Sequence, residues 1–142
     1  MDGMKEMRRF TVPGTPVGKG RPKFSRAGAR VRTYTPEKTA SYETLVKWSY
    51  TAASANRKPF EGEVRLAVVA YYPVPKSWSK KKQAAALRGE IRPMVKPDAD
   101  NIGKAIADAL NGLAYRDDAQ VTDLVVQKFY ADEPRVEVEV VG

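Results

Sequence analysis

The chain has 142 residues, carries 25 Lys/Arg against 17 Asp/Glu for a formal net charge of +8, and contains neither cysteine nor histidine. That length suits one compact unit with a real core. The missing residue types exclude disulfides, thiolate zinc sites, cysteine nucleophiles, Ser-His-Asp catalysis and imidazole acid–base work, and they leave any bound metal to oxygen ligands. Mg²⁺, with Mn²⁺ as a substitute, is the natural ion for such ligands. No apolar run approaches the roughly 20 residues that span a bilayer, and residues 1–10 lack the apolar centre of a signal peptide, so a soluble, cytoplasmic protein without a membrane partner is expected. The basic charge makes nucleic acid the leading partner, ahead of an anionic membrane surface.

In chain order, residues 7–12 read as a short strand ended by Pro13-Gly14. From there to Thr35 the chain is punctuated by glycine and proline and carries Lys19, Arg21, Lys23, Arg26, Arg30 and Arg32. This pattern predicts a basic loop or arm at about 14–35 that tracks phosphates and orders on binding; the bland alternative is a disordered linker. A helix is predicted from Thr35 or Pro36 to about Ala55, then a central strand over Val64–Tyr72 closed by Pro73 and Pro75. Ser77 or Ser79 caps a short helix through Lys80, Lys81 and Lys82 to Gly89, and these three lysines are further candidates for phosphate contact. The clearest helix covers 101–113, where Ile102, Ala105, Ile106, Ala109, Leu110 and Leu113 form one apolar face. Two strands follow, Val121–Tyr130 and Arg135–Val141. The second alternates sharply and is expected at or near a sheet edge with one wet face. This order predicts an α+β or mixed α/β fold, helices packed on a small mixed sheet, with 1–142 as a single domain.

Charge is segregated along the chain. Residues 1–60 hold 13 Lys/Arg and 4 Asp/Glu, residues 61–96 hold 8 and 3, and residues 97–142 hold 4 and 10. The acidic part contains Asp98-Ala99-Asp100-Asn101 and Asp117-Asp118. In extended chain, residues i and i+2 point the same way, so Asp98 and Asp100 can converge on one ion. Alternatively, one of them is an ordinary helix N-cap, and Asp117-Asp118 an ordinary turn. A helix of about eleven residues rises roughly 16 Å, so the following loop and strand must return if Asp118 is to meet the first pair. Lys104 is either an i,i+4 ion partner of Asp108 or a cation that reaches a phosphate. Trp48, Tyr71, Tyr72 and Trp78 serve core packing or a subunit surface, with stacking on unpaired bases as the alternative.

Lys96-Pro97-Asp98-Ala99-Asp100-Asn101-Ile102-Gly103-Lys104, Asp108-Ala109-Leu110-Asn111-Gly112 and Asp117-Asp118-Ala119-Gln120-Val121 resemble, in order and spacing, the RusA family of Holliday-junction resolvases, many of them encoded by phages and prophages. A weaker likeness covers Pro13-Gly14-Thr15-Pro16, Lys19-Gly20-Arg21-Pro22 and Tyr34-Thr35-Pro36. The resemblance implies metal-binding aspartates at Asp98, Asp100 and Asp118, an assisting Asp117 and a catalytic lysine at Lys104. It also implies a homodimer, a Mg²⁺ requirement and resolution of four-way DNA by paired nicks, in DNA recombination and repair. Two rival functions share the basic charge: a structure-selective nuclease acting on flaps or forks, and a non-catalytic DNA-binding module in which the aspartates are caps and turns. A D-x-D glycosyltransferase needs a nucleotide-sugar domain larger than this chain.

Overall fold

The structure is a computed structural model and describes residues 5–20, 23–27, 30–34 and 37–142. Strand β1 (Met7–Pro13) is followed by β2 (Lys23–Ala27), β3 (Arg30–Tyr34), helix α1 (Glu37–Ser54), β4 (Val64–Pro73), α2 (Lys80–Leu87), α3 (Ala99–Leu110), a 3₁₀ turn (Asp118–Gln120), β5 (Val121–Ala131) and β6 (Arg135–Val141). Four strands form one mixed sheet in the order β1-β6-β4-β5, in which β4 and β5 are parallel and the other neighbours antiparallel. A parallel neighbour cannot be reached by a tight turn, and the crossover between β4 and β5 contains α2 and α3.

Burial alternates along β1, β4 and β6, so one face of the sheet is covered and the other is not. Phe10, Val12, Leu66, Val68, Val138 and Val140 come from the covered face, and α1 and α3 close it with Tyr42, Val46, Tyr50, Ile102, Ile106 and Leu110. This is the α+β layer that the element order predicts. The β6 strand lies near the sheet edge, as its alternation predicts, one place in between β1 and β4. Its alternation arises because the described helices leave one sheet face uncovered.

The basic arm differs from expectation, because β2 and β3 pair antiparallel from Lys23↔Tyr34 to Ala27↔Arg30. Glycine and proline dominate a composition-based reading of this segment, yet Phe24, Val31, Thr33 and Tyr34 are good strand formers. Ser79, not Ser77, caps α2, its hydroxyl accepting from the Lys82 N–H at 3.2 Å.

Two buried polar groups on the helix side contrast in their partners. Arg8 donates to the Tyr50 hydroxyl at 2.7 Å and to the Lys58 carbonyl at 2.9 Å, pairs with Glu6 at 2.9 Å, and lies 3.9 Å from the Phe60 ring centre. Its charge is thereby compensated. The Tyr42 hydroxyl has no hydrogen-bond partner among the described residues, and burial pushes its pKa far up. Tyr42→Phe should therefore raise stability, or at least not lower it, by about 1 kcal/mol, because it deletes a desolvated hydroxyl while keeping the ring. Urea unfolding of the two proteins checks this, and a clear loss of stability would mean that the hydroxyl is hydrogen-bonded in solution.

Candidate active site

The acidic motif lies where the chain enters α3. Asp98 is the N-cap residue, with φ −71° and ψ 155°, but its carboxylate makes no capping hydrogen bond. The ordinary cap explanation therefore does not use this side chain. Asp100 follows in the first turn, exposed like Asp98, where the positive end of the helix dipole favours a carboxylate. The helix starts at Ala99, three residues before the apolar periodicity begins at Ile102, because the intervening polar residues suit a first turn.

The preceding loop is held from below. The buried Tyr72 hydroxyl donates to the Pro97 carbonyl, while Lys128 donates to the Val95 carbonyl at 2.7 Å and Arg92 to the Lys128 carbonyl at 2.7 Å. Burial first, and the neighbouring Asp98 charge second, push the Tyr72 phenol up to about 12. The aspartates thus stand above the C-terminal end of β4. On its other side α3 comes close to β5 because residue 103 is glycine. A Cβ there would meet Val126 Cγ2 at 3.0 Å and Leu124 Cδ2 at 3.1 Å.

Asp117 and Asp118 have different roles in the local structure. Asp117 caps the 3₁₀ turn, accepting from the Ala119 N–H at 3.3 Å, while Gln120 Oε1 accepts from the Asp117 N–H at 2.9 Å. Gln120 also donates to the carbonyls of Phe60 and Gly62, which fixes this turn beside the start of β4. Asp118 is exposed on the turn. The buried Tyr115 is pushed far above its ordinary pKa by burial, then by Asp118 and Asp108, and its hydroxyl donates to the Ala107 carbonyl at 2.7 Å, which ties the chain just before Asp118 to the C-terminal part of α3.

The chain after α3 therefore returns Asp118 to the C-terminal part of that helix, not to its start. Strand register leads to the same placement: Val64 pairs with Val121 at one end of the β4–β5 pair, and Tyr72 with Tyr130 at the other. Those nine residues span about 26 Å. Asp98 and Asp100 lie together, whereas Asp118 of the same chain is at the opposite end of α3. Among the described residues, no three acidic side chains gather closely enough to hold an ion.

The cations around the helix were only partly foreseeable. Lys104 lies one turn after Asp100 and is 63% exposed; its ammonium is 3.8 Å from Asp108 Oδ2. The closer partner of that carboxylate is Lys19, at 3.2 Å, which also bonds Glu43 at 2.9 Å. Lys19, expected to meet DNA phosphates, is enclosed between the carboxylates of Glu43 and Asp108. Burial alone would lower its pKa, but the hydrogen bonds to Glu43 and Asp108 outweigh burial and hold it above the ordinary lysine value.

The backbone of this segment is also fixed. The Lys19 N–H donates to the Asn101 carbonyl at 2.9 Å and the Gly20 N–H to Thr39 Oγ1 at 3.0 Å. At Gly18 a Cβ would fall 2.8 Å from Pro97 Cβ and 3.0 Å from Asn101 Cβ. Beside these residues lies a cleft of about 820 Å³, bordered by Lys38, Lys96 and Asp98. Thr39, Glu43, Lys38 and the Lys19 pairing carry no motif of their own, and only packing of α1 against α3 brings them to the site.

Lys80, Lys81 and Lys82 form the exposed first turn of α2, with Lys82 Nζ 4.0 Å from the Trp78 ring centre. Lys23, Arg26, Arg30 and Arg32 lie on the β2–β3 ribbon, while Arg21 lies outside the described residues. Tyr72 is core and Trp78 packs edge-on to Tyr130 at 5.4 Å, in line with a packing role, whereas Trp48 is 75% exposed on α1.

A mixed sheet with helices on one face, a pair of hard oxygen donors at a helix start, and a lysine-bordered cleft beside them define a candidate phosphodiester-cleaving protein. The family model for the endodeoxyribonuclease RusA matches residues 13–141. The chain is also 46% identical over 134 residues, 92% of each chain, to the uncharacterized protein YqaN of Bacillus subtilis (strain 168). The chain belongs to the RusA endodeoxyribonuclease family and is an enzyme that cleaves DNA. Among its described residues no helix is long and apolar enough to cross a membrane.

Proposed function

We propose that this enzyme is a homodimeric, Mg²⁺-dependent Holliday-junction resolvase, with residues 1–142 acting as a single nuclease domain. The observation that carries the reading is the uncapped Asp98 carboxylate beside Asp100, next to a lysine-bordered cleft in a RusA-family chain. Carboxylates with no nitrogen or sulfur ligand nearby suit a small hard cation, Mg²⁺ or Mn²⁺. When bound, such an ion supplies Lewis-acid polarisation of the phosphate and acidifies a water.

Asp98 and Asp100 hold the ion in this reading. Asp118 completes the ligand set from a second copy, because in its own chain it stands at the other end of α3. The Asp117 cap keeps Asp118 projecting. Lys104 approaches the scissile phosphate and stabilises the charge that develops on it. Lys96, Lys38, the α2 lysines and the basic ribbon contact backbone phosphates without reading bases. The uncovered sheet face, with Ala67, Val69 and Val125 between Arg9, Arg65, Glu137 and Glu139, offers a self-complementary surface to a second copy. Two active sites fixed by a dimer axis suit two symmetric cuts.

The test is cleavage of a labelled, immobile four-way junction with Mg²⁺ and with excess EDTA, beside matched linear duplex and flap substrates. Paired nicks confined to the junction and abolished by EDTA are expected. Equal cutting of the flap would replace the resolvase reading by a general structure-selective nuclease, and undiminished cutting in EDTA would remove the metal.

A further inference from the structure

We propose that Lys19 is a positioning residue of the active site: by occupying Asp108, it leaves the Lys104 ammonium available to the scissile phosphate. The inference rests on the reading of Lys104 as a catalytic lysine.

Three observations carry it. First, among the described residues Asp108 has two cationic neighbours of unequal standing. Lys19 approaches to 3.2 Å and its side chain is 17% exposed, whereas Lys104 stays at 3.8 Å and is 63% exposed. The better-desolvated, shorter contact is the stronger, and the exposed i,i+4 pair is weak beside it, so Lys104 leaves Asp108 at little cost.

Second, Lys19 has no comparable freedom. Its head group is shared with Glu43 at 2.9 Å, its N–H is bonded to Asn101 on the first turn of α3, and the preceding Gly18 is packed where no Cβ fits. A cation fixed at both ends neutralises Asp108 continuously.

Third, the direction of side chains on α3 makes this neutralisation consequential. Helical side chains lean toward the N-terminus, so Asp108 leans toward Lys104, and Lys104 leans toward Asp100 and Asn101. Without Lys19, the Asp108 carboxylate would hold Lys104 a turn away from the acidic site. With Lys19 in place, the intrinsic lean of Lys104 carries it to the substrate.

The experiment is single-turnover cleavage of the four-way junction by wild type, Lys19→Met, Lys19→Met/Asp108→Asn, Lys19→Arg and Lys104→Met, with binding affinity and folding measured for each. Lys19→Met, which leaves Asp108 with Lys104 as its one cation among the described residues, should cleave about tenfold more slowly at nearly unchanged binding affinity, the size of loss that holding one catalytic group away in a modest ion pair produces. Adding Asp108→Asn should restore most of the rate, because the competing charge is gone, and a merely structural role of Lys19 gives no such rescue. Lys19→Arg, which keeps a cation between the two carboxylates, should retain cleavage within about threefold, less than the loss from misplacement.

Normal cleavage by folded Lys19→Met, or a loss that Asp108→Asn does not relieve, overturns the inference while leaving Lys104 catalytic. Should Lys19→Met fail to fold, a loss of more than about tenfold in folded Lys19→Arg overturns it instead. Normal cleavage by Lys104→Met removes the underlying reading, and the inference with it.

Discussion

Asp100→Asn should bind branched DNA with near-wild-type affinity and cleave it at least about 10³-fold more slowly, since a metal-binding carboxylate supports several kcal/mol of charge stabilisation and each 1.36 kcal/mol is tenfold in rate. The substitution keeps the shape of the side chain and removes its charge. Asp100 is exposed in the first turn of α3, so folding should lose only the interaction with the helix dipole, about 0.3–1 kcal/mol. Loss of activity will then not be a consequence of unfolding, and a thermal melt verifies that. Asp117→Ala provides the contrast. It deletes a cap that accepts from the Ala119 N–H, costs about 1 kcal/mol locally, and should reduce cleavage only through the placement of Asp118. Single-turnover cleavage and a filter-binding isotherm on the same junction separate the two cases. Near-normal turnover by Asp100→Asn would reject a carboxylate–metal site at the start of α3.

The parts of this molecule legible in its sequence are those written in local patterns. The apolar stripe from Ile102 to Leu110 fixed the existence of α3, the run Val64–Tyr72 its central strand, and the alternating valines of β6 a sheet face open to water. The boundaries of α3 shifted because capping residues, not apolar ones, set a helix start. Pairing between distant segments was not legible. That β6 lies inside the sheet follows from its ladders with both β1 and β4, and neither partner is adjacent to it in sequence.

The same limit governs the site. The aspartate motif marked residues at the N-terminal end of α3, but the spacing between Asp100 and Asp118 is silent on whether the loop after α3 runs back along the helix. The parallel β4–β5 register decides that it does not. Composition alone makes Lys19 one more cation of a basic arm. Its distinction lies in Glu43 and Asp108, which come from two helices and meet only in the folded chain.

Lys104→Met should lower the cleavage rate by about 10²- to 10³-fold, the typical loss when one group that stabilises transition-state charge is removed. Binding should change little, because a single exposed cation among many contributes modestly to phosphate affinity. The fold should tolerate the change. Lys104 is exposed, its one ion pair among the described residues is the 3.8 Å contact with Asp108, and methionine is as good a helix former as lysine. Lys104→Arg is informative beside it. A guanidinium keeps the charge but presents a planar fork where lysine presents a compact ammonium, so partial activity indicates that charge matters and full loss that placement matters as well.

Salt separates both from nonspecific attraction. A general contribution to the electrostatic field is screened over about 8 Å at physiological ionic strength, so a deficit of that kind would shrink as salt rises. A cation in contact with the scissile phosphate is screened much less, and the deficit of Lys104→Met in the single-turnover rate of bound substrate should persist at both low and high salt. If the rates of mutant and wild type converge at high salt, Lys104 acts through the field that draws DNA to the protein, and the charge at the transition state must be stabilised by another group.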